Sequence, residues 1–382
     1  MNEYYSNEIA YLIENGLYRE LKTVESPQER EIIINGQPLL NFSSNNYLGL
    51  ATHQELKKTA ADSAARWGTG AGASRLISGN QECYNRLEIR LAALKQRENS
   101  LVYPTGYMTN LGITSALTTD KDAILIDRLN HASIIDGTKL SGARRFVFQH
   151  CDLDSLEKTL KRTQEYRKRF VVTDTIFSMD GDAAPLKEIT HLCEKYEAFL
   201  IVDEAHAFGV FGEKGAGYMS ELGITGKSLV DMGTFSKAAG SLGGYAACDH
   251  VIRDYLINTS RSQIYTTALP PHVVEVNLKA IELIERADSE REHLLSLSSV
   301  FREKLQSLGY HTCDSISQII PILIGENNKV VKLQNYFLEN GIYTPAIRFP
   351  TVPKATARLR ISITSQHQFS DIERFIDLLK KF

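Results

Sequence analysis

Short apolar segments alternate with helical segments over about 150 residues, and this alternation constrains the fold more than any other feature. Segment 199–202 is apolar throughout and partly β-branched, which is typical of a strand buried on both faces of a parallel sheet. The sequence therefore predicts an α/β fold with a mostly parallel sheet. The predicted strands lie at 100–103, 123–127, 146–148, 170–174, 199–203, 228–232 and 244–248.

Composition narrows the possible classes of protein. The chain has 382 residues, of which 43% are hydrophobic and 23% charged, with a formal net charge of −3. This length suffices for two or three domains with buried cores, and the charge gives no electrostatic footprint for nucleic acid. No apolar run is long enough to span a membrane, and the first residues lack the features of a signal peptide. Five scattered cysteines without a Cys-x-x-Cys pair fit reduced thiols, so we expect a cytoplasmic protein.

A single lysine stands out in the segment 232–247, because no other residue there is charged. Lys237 is flanked by Ser, Ala and Gly residues that leave space around its amine, and Thr234 precedes it by three positions. Partial burial lowers the pKa of a lysine, and the neutral amine can attack a carbonyl. From this segment alone, a Gly-rich turn with a solvated lysine is an equally good interpretation.

The predicted strand at 199–203 ends in Asp203, and His206 follows three residues later. In open α/β sheets, groups just beyond the carboxyl ends of strands line the ligand crevice. A strand-end acid, a histidine and a Thr-x-x-Lys form the combination that pyridoxal phosphate (PLP) requires. Asp203 would keep the pyridine nitrogen protonated, Lys237 would bind the aldehyde, and Thr234 would help to hold the phosphate. Asp203 taken alone could instead cap the following turn.

A strand, a glycine turn and a helix start follow one another at 100–110. The first amides of a helix are unpaired and bear partial positive charge, so this arrangement can bind an anion. We predict that the backbone N–H groups of Gly106 and Tyr107 bind the cofactor's phosphate. A plain strand-to-helix turn is the alternative.

Seven motifs in a fixed order resemble those of the α-oxoamine synthases, fold-type I PLP enzymes that condense an amino acid with an acyl-CoA and release carbon dioxide. The resemblance runs almost from end to end and implies the class I/II aminotransferase fold. It implies a large domain with a mostly parallel seven-stranded sheet, a smaller C-terminal α/β domain, and a homodimer with shared active sites. The motifs lie at 41–50, 68–79, 127–133, 177–182, 203–206, 234–237 and 351–360.

Three domains are expected: an arm over 1–45, a PLP-binding domain over 46–272 and a small domain over 273–382. Within the arm we predict a helix over 1–26 and a hairpin over 31–42 that turns at Asn35-Gly36. After Pro270-Pro271, a long helix is predicted from 272 to about 301.

The resemblance assigns further residues to the cofactor. His131 would stack on the pyridine face, while Ser178 and His206 would lie near the PLP 3′-oxygen. Thr266 and Thr267 would reach the phosphate bound by the neighbouring subunit. Locally, each of the two histidines could equally be structural, and Ser178 could be a turn serine. The catalytic set implied by the resemblance is Lys237, His131, Asp203 and His206, with no metal.

Substrate residues also follow from the resemblance. Arg360 would anchor the amino acid's carboxylate, and Arg19 and Thr351 would contact the acyl substrate. Period-2 alternation puts Arg358 and Arg360 on one strand face, although either could be a surface residue, as could Arg19.

Within the family, Asp182 and the Thr351-Val-Pro segment favour the biotin-pathway member, which joins L-alanine to pimeloyl-CoA or to pimeloyl carrier protein. The alternatives are 2-amino-3-ketobutyrate CoA ligase, 5-aminolevulinate synthase and a long-chain acyl enzyme, which share the catalytic set. In the implied mechanism, Lys237 removes the α-proton while Asp203 keeps the cofactor's ring protonated. A non-catalytic subunit would lack the lysine, and an aminotransferase would use no thioester.

Overall fold

The computed structural model describes residues 2–15 and 17–382, so Met1 and Gly16, both within the predicted helix over 1–26, lie outside the described residues. Helix α1 spans Asn2–Glu14 and has no buried residue. The prediction of a helix to residue 26 is wrong. Glu25 N donates to Ile33 O at 2.8 Å and Ile33 N donates to Ser26 Oγ at 2.9 Å, so residues 25–26 bond to the hairpin instead.

The predicted hairpin is confirmed, with strand β1 at Glu31–Ile34 and β2 at Gln37–Asn41. Asn35 and Gly36 form the turn with φ angles of 51° and 69°, the left-handed conformation that suits this residue pair. A 3₁₀ turn at Leu50–Thr52 leads to helix α2, Gln54–Trp67. A π-turn at Arg75–Gly79 precedes helix α3, Glu82–Leu94.

A seven-stranded sheet forms the centre of the fold, as the sequence predicted. Its strands are β3 (Asn99–Tyr103), β4 (Ala123–Asp127), β5 (Arg144–Phe148), β6 (Arg169–Asp174), β7 (Phe199–Asp203), β8 (Val230–Thr234) and β9 (Gly244–Cys248). The spatial order is β3-β9-β8-β7-β6-β4-β5; six of these strands run in one direction and β9 runs in the opposite direction.

Helices cover both faces of this sheet, which explains why the strands are apolar throughout. In β4, Ile124 and Ile126 belong to a cluster with residues of the helices after β3 and β4, while Ala123 and Leu125 face the other cluster. The helices of this domain are α4 (Gly106–Leu117), α5 (Ala132–Ser141), α6 (Leu153–Arg162), α7 (Leu186–Lys195), α8 (Tyr218–Glu221), α9 (His250–Thr259) and α10 (Arg261–Ile264), with a 3₁₀ turn at Glu213–Gly215.

The predicted long helix from 272 to 301 is wrong, because two helices occupy this region. Helix α11 spans Pro271–Glu285 and α12 spans Asp288–Ser307. The break has a visible cause: buried Arg291 donates from Nη1 to the carbonyl of Ile284 at 2.5 Å and pairs with Asp288. The guanidinium therefore caps the end of α11 and holds the start of α12 at the bend.

The C-terminal region adds strands β10 (Ile319–Gly325), β11 (Ile342–Tyr343), β12 (Ala346–Ile347) and β13 (Ala357–Ser362), and helices α13 (Asn327–Glu339) and α14 (Phe369–Leu379). Antiparallel strands form a sheet in the order β10-β13-β12. Strand β11 pairs with β2, so the N-terminal hairpin and the C-terminal region share a three-stranded sheet. Arg30 and Asp371 strengthen this junction with hydrogen bonds of 2.8 and 2.6 Å.

The domain bounds 1–45, 46–272 and 273–382 stay a prediction. Among the described helices, none combines the length and the apolar character needed to cross a membrane.

Candidate active site

Lys237 lies in the turn between β8 and β9, where Gly240 N donates to its carbonyl at 2.9 Å. The pKa of the lysine is lowered to about 8, chiefly by burial; the positive charge of Arg360 also lowers it, whereas Asp203 and Asp174 act in the opposite direction. The amine is therefore neutral in a far larger fraction of molecules at neutral pH than an ordinary lysine. A neutral amine is a nucleophile and a base.

A chain of hydrogen bonds leads away from this amine. Lys237 Nζ lies 2.7 Å from His206 Nε2, His206 Nδ1 lies 2.7 Å from the Tyr47 hydroxyl, and that hydroxyl donates to Asn45 Oδ1 at 3.0 Å. Burial and the charge of Lys237 depress the pKa of His206 well below its usual range, so the ring is neutral. Because Tyr47 donates to Asn45, Nδ1 bears the ring's proton and Nε2 accepts from Lys237.

Asp203 ends β7 at the carboxyl edge of the sheet and is buried. Its Oδ2 accepts from Asn110 at 2.7 Å and its Oδ1 accepts from the amide of Ala205 at 2.9 Å. Asp174 ends the neighbouring strand in register with it, and burial together with the charge of Asp203 raises the pKa of Asp174 well above its usual range. Two strand-end carboxyl groups thus meet here, although the sequence analysis singled out only Asp203.

His131 caps the first turn of α5, where its Nδ1 accepts from the amide of Ser133. Asn110 joins this histidine to the strand-end acid, since its Nδ2 donates to Ser133 Oγ at 2.9 Å as well as to Asp203. Burial and the charge of Lys237 lower the pKa of His131 against the effect of Asp203. The imidazole is therefore neutral and belongs to the same electrostatic environment as Lys237.

The N-terminus of α4 has the geometry that the sequence predicted for an anion site. Thr105 caps the helix by accepting from Met108 N at 3.1 Å. In the part of the chain that the structure describes, no acceptor is bonded to the amides of Gly106 and Tyr107. A Cβ on Gly106 would lie 3.2 Å from the Cβ of Thr234, so only glycine leaves open space between the helix start and the Lys237 turn.

The hydroxyl of Thr234 is already engaged, because it donates to the carbonyl of Gly243 at 2.7 Å and accepts from the amide of Ser236 at 3.1 Å. The Thr234 hydroxyl therefore stabilises the turn, and its hydrogen is already donated to Gly243 rather than free for a phosphate. The side chain of Ser236, which the sequence analysis did not select, lies 3.0 Å away and is exposed.

Arg360 is buried on β13 beside Arg358, which confirms the predicted common face. Three of its donors have partners in the described chain: Nε bonds the carbonyl of Ser178 at 2.5 Å, Nη1 bonds Ser362 at 2.8 Å, and Nη2 bonds Asn45 at 3.2 Å. A guanidinium has five N–H donors, so one remains on each terminal nitrogen. Two such donors match a carboxylate in a bidentate fork.

The predicted acyl-substrate residues lie together although they are far apart in sequence. Arg19 Nη2 donates to Thr351 Oγ1 at 2.9 Å, and Arg348 donates to the carbonyl of Tyr18 at 2.8 Å. Both bonds are solvent-exposed, so the N-terminal arm contacts the 348–351 turn at the protein surface.

Thr266 and Thr267 are not brought to the Lys237 cluster within this chain. Among the described residues, the one hydrogen bond of their side chains runs from Thr266 Oγ1 to the carbonyl of Thr267 at 3.5 Å, and Thr267 is exposed. The amide of the next residue, Ala268, donates to the carbonyl of Ala73 at 3.0 Å. This segment therefore packs on the Gly-rich stretch over 68–79.

Comparison with known proteins shows to which family the chain belongs. The family described as aminotransferase class I and II matches residues 37–379. The chain therefore belongs to the aminotransferase class I and II family.

Two relatives found by sequence comparison narrow the assignment within this family. The 8-amino-7-oxononanoate synthase of Exiguobacterium sibiricum is 41% identical over 379 residues, covering 99% of this chain and 97% of its own. That of Trichlorobacter lovleyi is 45% identical over 366 residues, covering 95% and 93%. Within the family, the chain is thus a relative of the 8-amino-7-oxononanoate synthases, and the resemblance to α-oxoamine synthases is confirmed.

A solved structure supports the same fold. A serine palmitoyltransferase variant from S. paucimobilis, with a bound PLP-myriocin aldimine, matches with a TM-score of 0.93 and 29% identity, covering 98% of this chain and 95% of its own. The predicted fold class is confirmed by this match together with the seven-stranded sheet.

The residues of this chain fit PLP on structural grounds. Unpaired amides at Gly106 and Tyr107, a lysine with a lowered pKa, and a buried strand-end acid converge at one edge of the sheet. They match the cofactor's phosphate, aldehyde and pyridine nitrogen respectively.

Sequence reasoning missed Asn110, Tyr47, Asp174 and Ser236. Asp174 could have been found, because it ends an apolar run as Asp203 does. Tyr47 lay within the recognised motif at 41–50, but its partner is 159 positions away in the chain. Nothing in the sequence around Asn110 predicts its role, which depends on hydrogen bonds to Ser133 on α5 and to Asp203 on β7.

Proposed function

We propose that this chain is a PLP-dependent synthase that condenses L-alanine with pimeloyl-CoA or pimeloyl carrier protein. The products are 8-amino-7-oxononanoate, carbon dioxide and the free thiol of the carrier, as a step of biotin synthesis. One observation supports this most strongly: the low-pKa amine of Lys237 lies within the electrostatic reach of both Asp203 and the two free donors of Arg360.

The geometry of the site indicates which residues would hold the cofactor. Lys237 would bind its aldehyde, Asp203 would pair with its ring nitrogen, and the amides of Gly106 and Tyr107 would bind its phosphate. His131 would cover the ring, and His206 and Ser178 would contact its 3′-oxygen. When bound, PLP withdraws electrons from the amino acid's α-carbon, so that bonds to hydrogen and to the carboxylate can break there.

The chain's own groups then position the substrate and move protons. Arg360 binds the carboxylate of L-alanine through its two free donors. Lys237 removes the α-proton, which its lowered pKa permits near neutral pH. Because His206 Nε2 accepts from Lys237, the imidazole orientates the amine, while burial lowers its pKa. Asp203 is orientated by Asn110 and Ala205 and would pair with the cofactor's ring nitrogen.

Arg19 and Thr351 are proposed to receive the acyl chain's distant end. Their hydrogen bond is exposed, and an arginine suits a terminal carboxylate such as that of a pimeloyl group.

A second candidate is a long-chain acyl synthase, favoured by the fold match to serine palmitoyltransferase. Identities of 41% and 45% to the 8-amino-7-oxononanoate synthases favour the first candidate over this one at 29%. A panel of L-alanine, glycine and L-serine against pimeloyl-, acetyl-, succinyl- and palmitoyl-CoA, read by mass spectrometry of the product, separates them. Highest kcat/KM with any pair other than L-alanine and a pimeloyl thioester would refute the assignment.

Lys237→Ala tests the reaction itself. The variant is expected to lose turnover together with the visible absorbance of covalently bound cofactor, whereas Lys227→Ala, which only breaks a surface pair with Glu194, keeps both. Retained turnover in Lys237→Ala would refute the role of this amine.

We also propose a cytoplasmic homodimer. The free cysteines support a reducing compartment. The exposure of Thr267, and the absence of any described contact from this pair to the Lys237 cluster, support a role in the partner's site. The proposal includes two carriers of the acyl group, coenzyme A and a carrier protein.

A further inference from the structure

A second cluster of chemically active side chains lies beside the proposed active site, at the carboxyl ends of β4 and β5. His150 Nδ1 is 2.9 Å from Asp127 Oδ1, and its Nε2 is 2.8 Å from Asp182 Oδ2. Cys151 Sγ is 3.8 Å from both His150 Nε2 and Asp182 Oδ2. Candidate ligand atoms of Asp127, His150 and Cys151 all lie within 4.8 Å of one another. None of these groups has a role in the proposed reaction.

The carboxylate of Asp182 is the third candidate ligand. Asp182 is only 9% exposed, and its Oδ2 faces His150 Nε2 and Cys151 Sγ, so this oxygen is aimed into the cluster. Among the described residues its buried Oδ1 has no hydrogen-bond partner, so the carboxylate can turn towards an ion without breaking another bond.

We propose that His150 Nε2, Cys151 Sγ and Asp182 bind one divalent metal ion of the zinc type, with Asp127 orientating the His150 ring. The three ligand atoms define a triangle with edges of 2.8, 3.8 and 3.8 Å. Tetrahedral bonds of about 2.0–2.3 Å hold the ligand atoms about 3.3–3.6 Å apart, so the two separations from sulfur nearly fit, and His150 Nε2 and Asp182 Oδ2 must move apart by about 0.5 Å as the ion enters.

The position of Asp127 supports this assignment. A metal-bound histidine usually donates its other ring N–H to a carboxylate, which fixes the tautomer and the ring orientation. Asp127 is held for this role because it ends β4 and accepts from the amides of Leu129 and Cys151 at 2.8 and 2.9 Å. The side chain of His150 is about one quarter exposed, so water can fill the fourth ligand position.

Metal binding must displace two protons that the metal-free cluster holds firmly, because burial raises the pKa of Cys151 and the hydrogen bonds to Asp127 and Asp182 raise the pKa of His150 against the effect of burial. Without metal, each nitrogen of His150 faces a carboxylate and bears a proton, and Cys151 is a thiol. Binding releases the Nε2 proton and the thiol proton to water as the dication enters, so the net charge of the buried cluster does not change. No oxidant or reductant is needed.

The ion would tie down the loop over 177–183. In this loop, the carbonyl of Ser178 accepts from Arg360, Asp180 pairs with Arg358, and the carbonyl of Gly181 accepts from Ser317. Fixing Asp182 therefore stabilises the segment that aligns the proposed carboxylate anchor.

Titration of the PLP-loaded protein with Co²⁺ tests the site, because this ion reports tetrahedral thiolate ligation by its visible d–d bands and a near-ultraviolet charge-transfer band. We expect one Co²⁺ per protomer, displaced by Zn²⁺, with both bands seen as differences from the metal-free holoenzyme. Cys151→Ser should abolish the thiolate band and weaken binding at least about tenfold. Cys313→Ser is the matched control, since Cys313 is also partly buried and lies beside Arg358, and it should keep both bands.

Thermal unfolding gives a second measurement that does not depend on spectra. Saturating Zn²⁺ should raise the Tm of the wild type and of Cys313→Ser, but not that of Cys151→Ser or Asp182→Asn. A wild-type protein that binds no Co²⁺ at micromolar concentration, or a Cys151→Ser variant that binds it unchanged, would overturn the proposal.

Discussion

The hydrogen-bond chain from Lys237 through His206 and Tyr47 to Asn45 shows how single residues determine reactivity. The bond from Tyr47 to Asn45 sets the tautomer of His206, and this tautomer gives the other two bonds their direction. Arg360 closes the network by donating to the same Asn45 oxygen at 3.2 Å. Any substrate carboxylate bound by Arg360 is thereby linked to the orientation of the lysine amine.

The pKa of Lys237 leads to a prediction for cofactor uptake. Only the neutral amine attacks an aldehyde, so the rate of PLP incorporation into the apoprotein should rise with pH through about 8 and level off above it. An ordinary lysine would give an inflection near its usual value of 10.5. Stopped-flow absorbance from pH 6 to pH 11 measures this.

The same experiment tests whether the charge of Arg360 contributes to the low pKa of Lys237. Arg360→Gln removes a positive charge that lowers the pKa of Lys237, so the inflection should move to higher pH. Arg302→Gln alters an arginine bonded to the carbonyl of Ser317 and should leave the inflection in place. Identical profiles for Arg360→Gln and the wild type would contradict the electrostatic explanation.

Arg360→Lys should separate binding from chemistry. Lysine keeps the charge but loses the bidentate fork, so KM for L-alanine should rise about tenfold or more, given about 1.5–3 kcal/mol per hydrogen bond to a charged group. The KM for the acyl thioester should change much less. Steady-state kinetics with Arg302→Lys as control measure both, and an equal rise in both KM values would argue against a carboxylate anchor.

Among the elements, the strands were easy to predict and the helix ends were not. Apolar runs ending in Asp127, Asp174 and Asp203 predict buried parallel strands, because burial on both faces leaves a local signature. The bend between α11 and α12 has no such signature, since it depends on Arg291 reaching back to Ile284. The helix over 1–26 failed for a similar reason: apolar spacing continues to Leu21, but residues 25–26 bond to β1.

The residues of the candidate site also divide into those that the local sequence predicts and those that it does not. Residues inside motifs, such as Lys237 and Gly106, were predicted from neighbours in the chain. Asn110 and Ser236 were not, because their partners are set by tertiary packing or by the free space around the turn.

Helix α4 allows a matched test of the phosphate site. Thr105→Ala and Asp152→Ala each remove an N-cap side chain that accepts from the third amide of its helix, at 3.1 and 2.9 Å. Each should destabilise the protein by about 1 kcal/mol. Only Thr105→Ala should weaken PLP binding, because α4 is the helix whose first amides are proposed to bind the cofactor's phosphate. Urea unfolding and PLP titration of the apoprotein measure the two effects, and equal PLP affinities would contradict the assignment.

At the scale of the whole molecule, the proposed dimer predicts complementation between defective protomers. A double variant Thr266→Ala, Thr267→Ala should bind PLP weakly in the partner's site, and Lys237→Ala should be inactive in its own. Refolding the two together should restore activity, because mixed dimers contain one site with neither defect. Each variant refolded alone is the control, and absence of recovery would contradict a shared site.

The pairing of β2 with β11 has a consequence for biosynthesis. The hairpin is translated well before the strand that completes its sheet and the acid that binds Arg30. The central sheet can assemble while the chain is still growing, but this junction closes only after residues 342–343 and Asp371 have emerged from the ribosome. A nascent chain stalled before residue 342 should therefore remain cleavable by protease around the hairpin, and the finished protein should not.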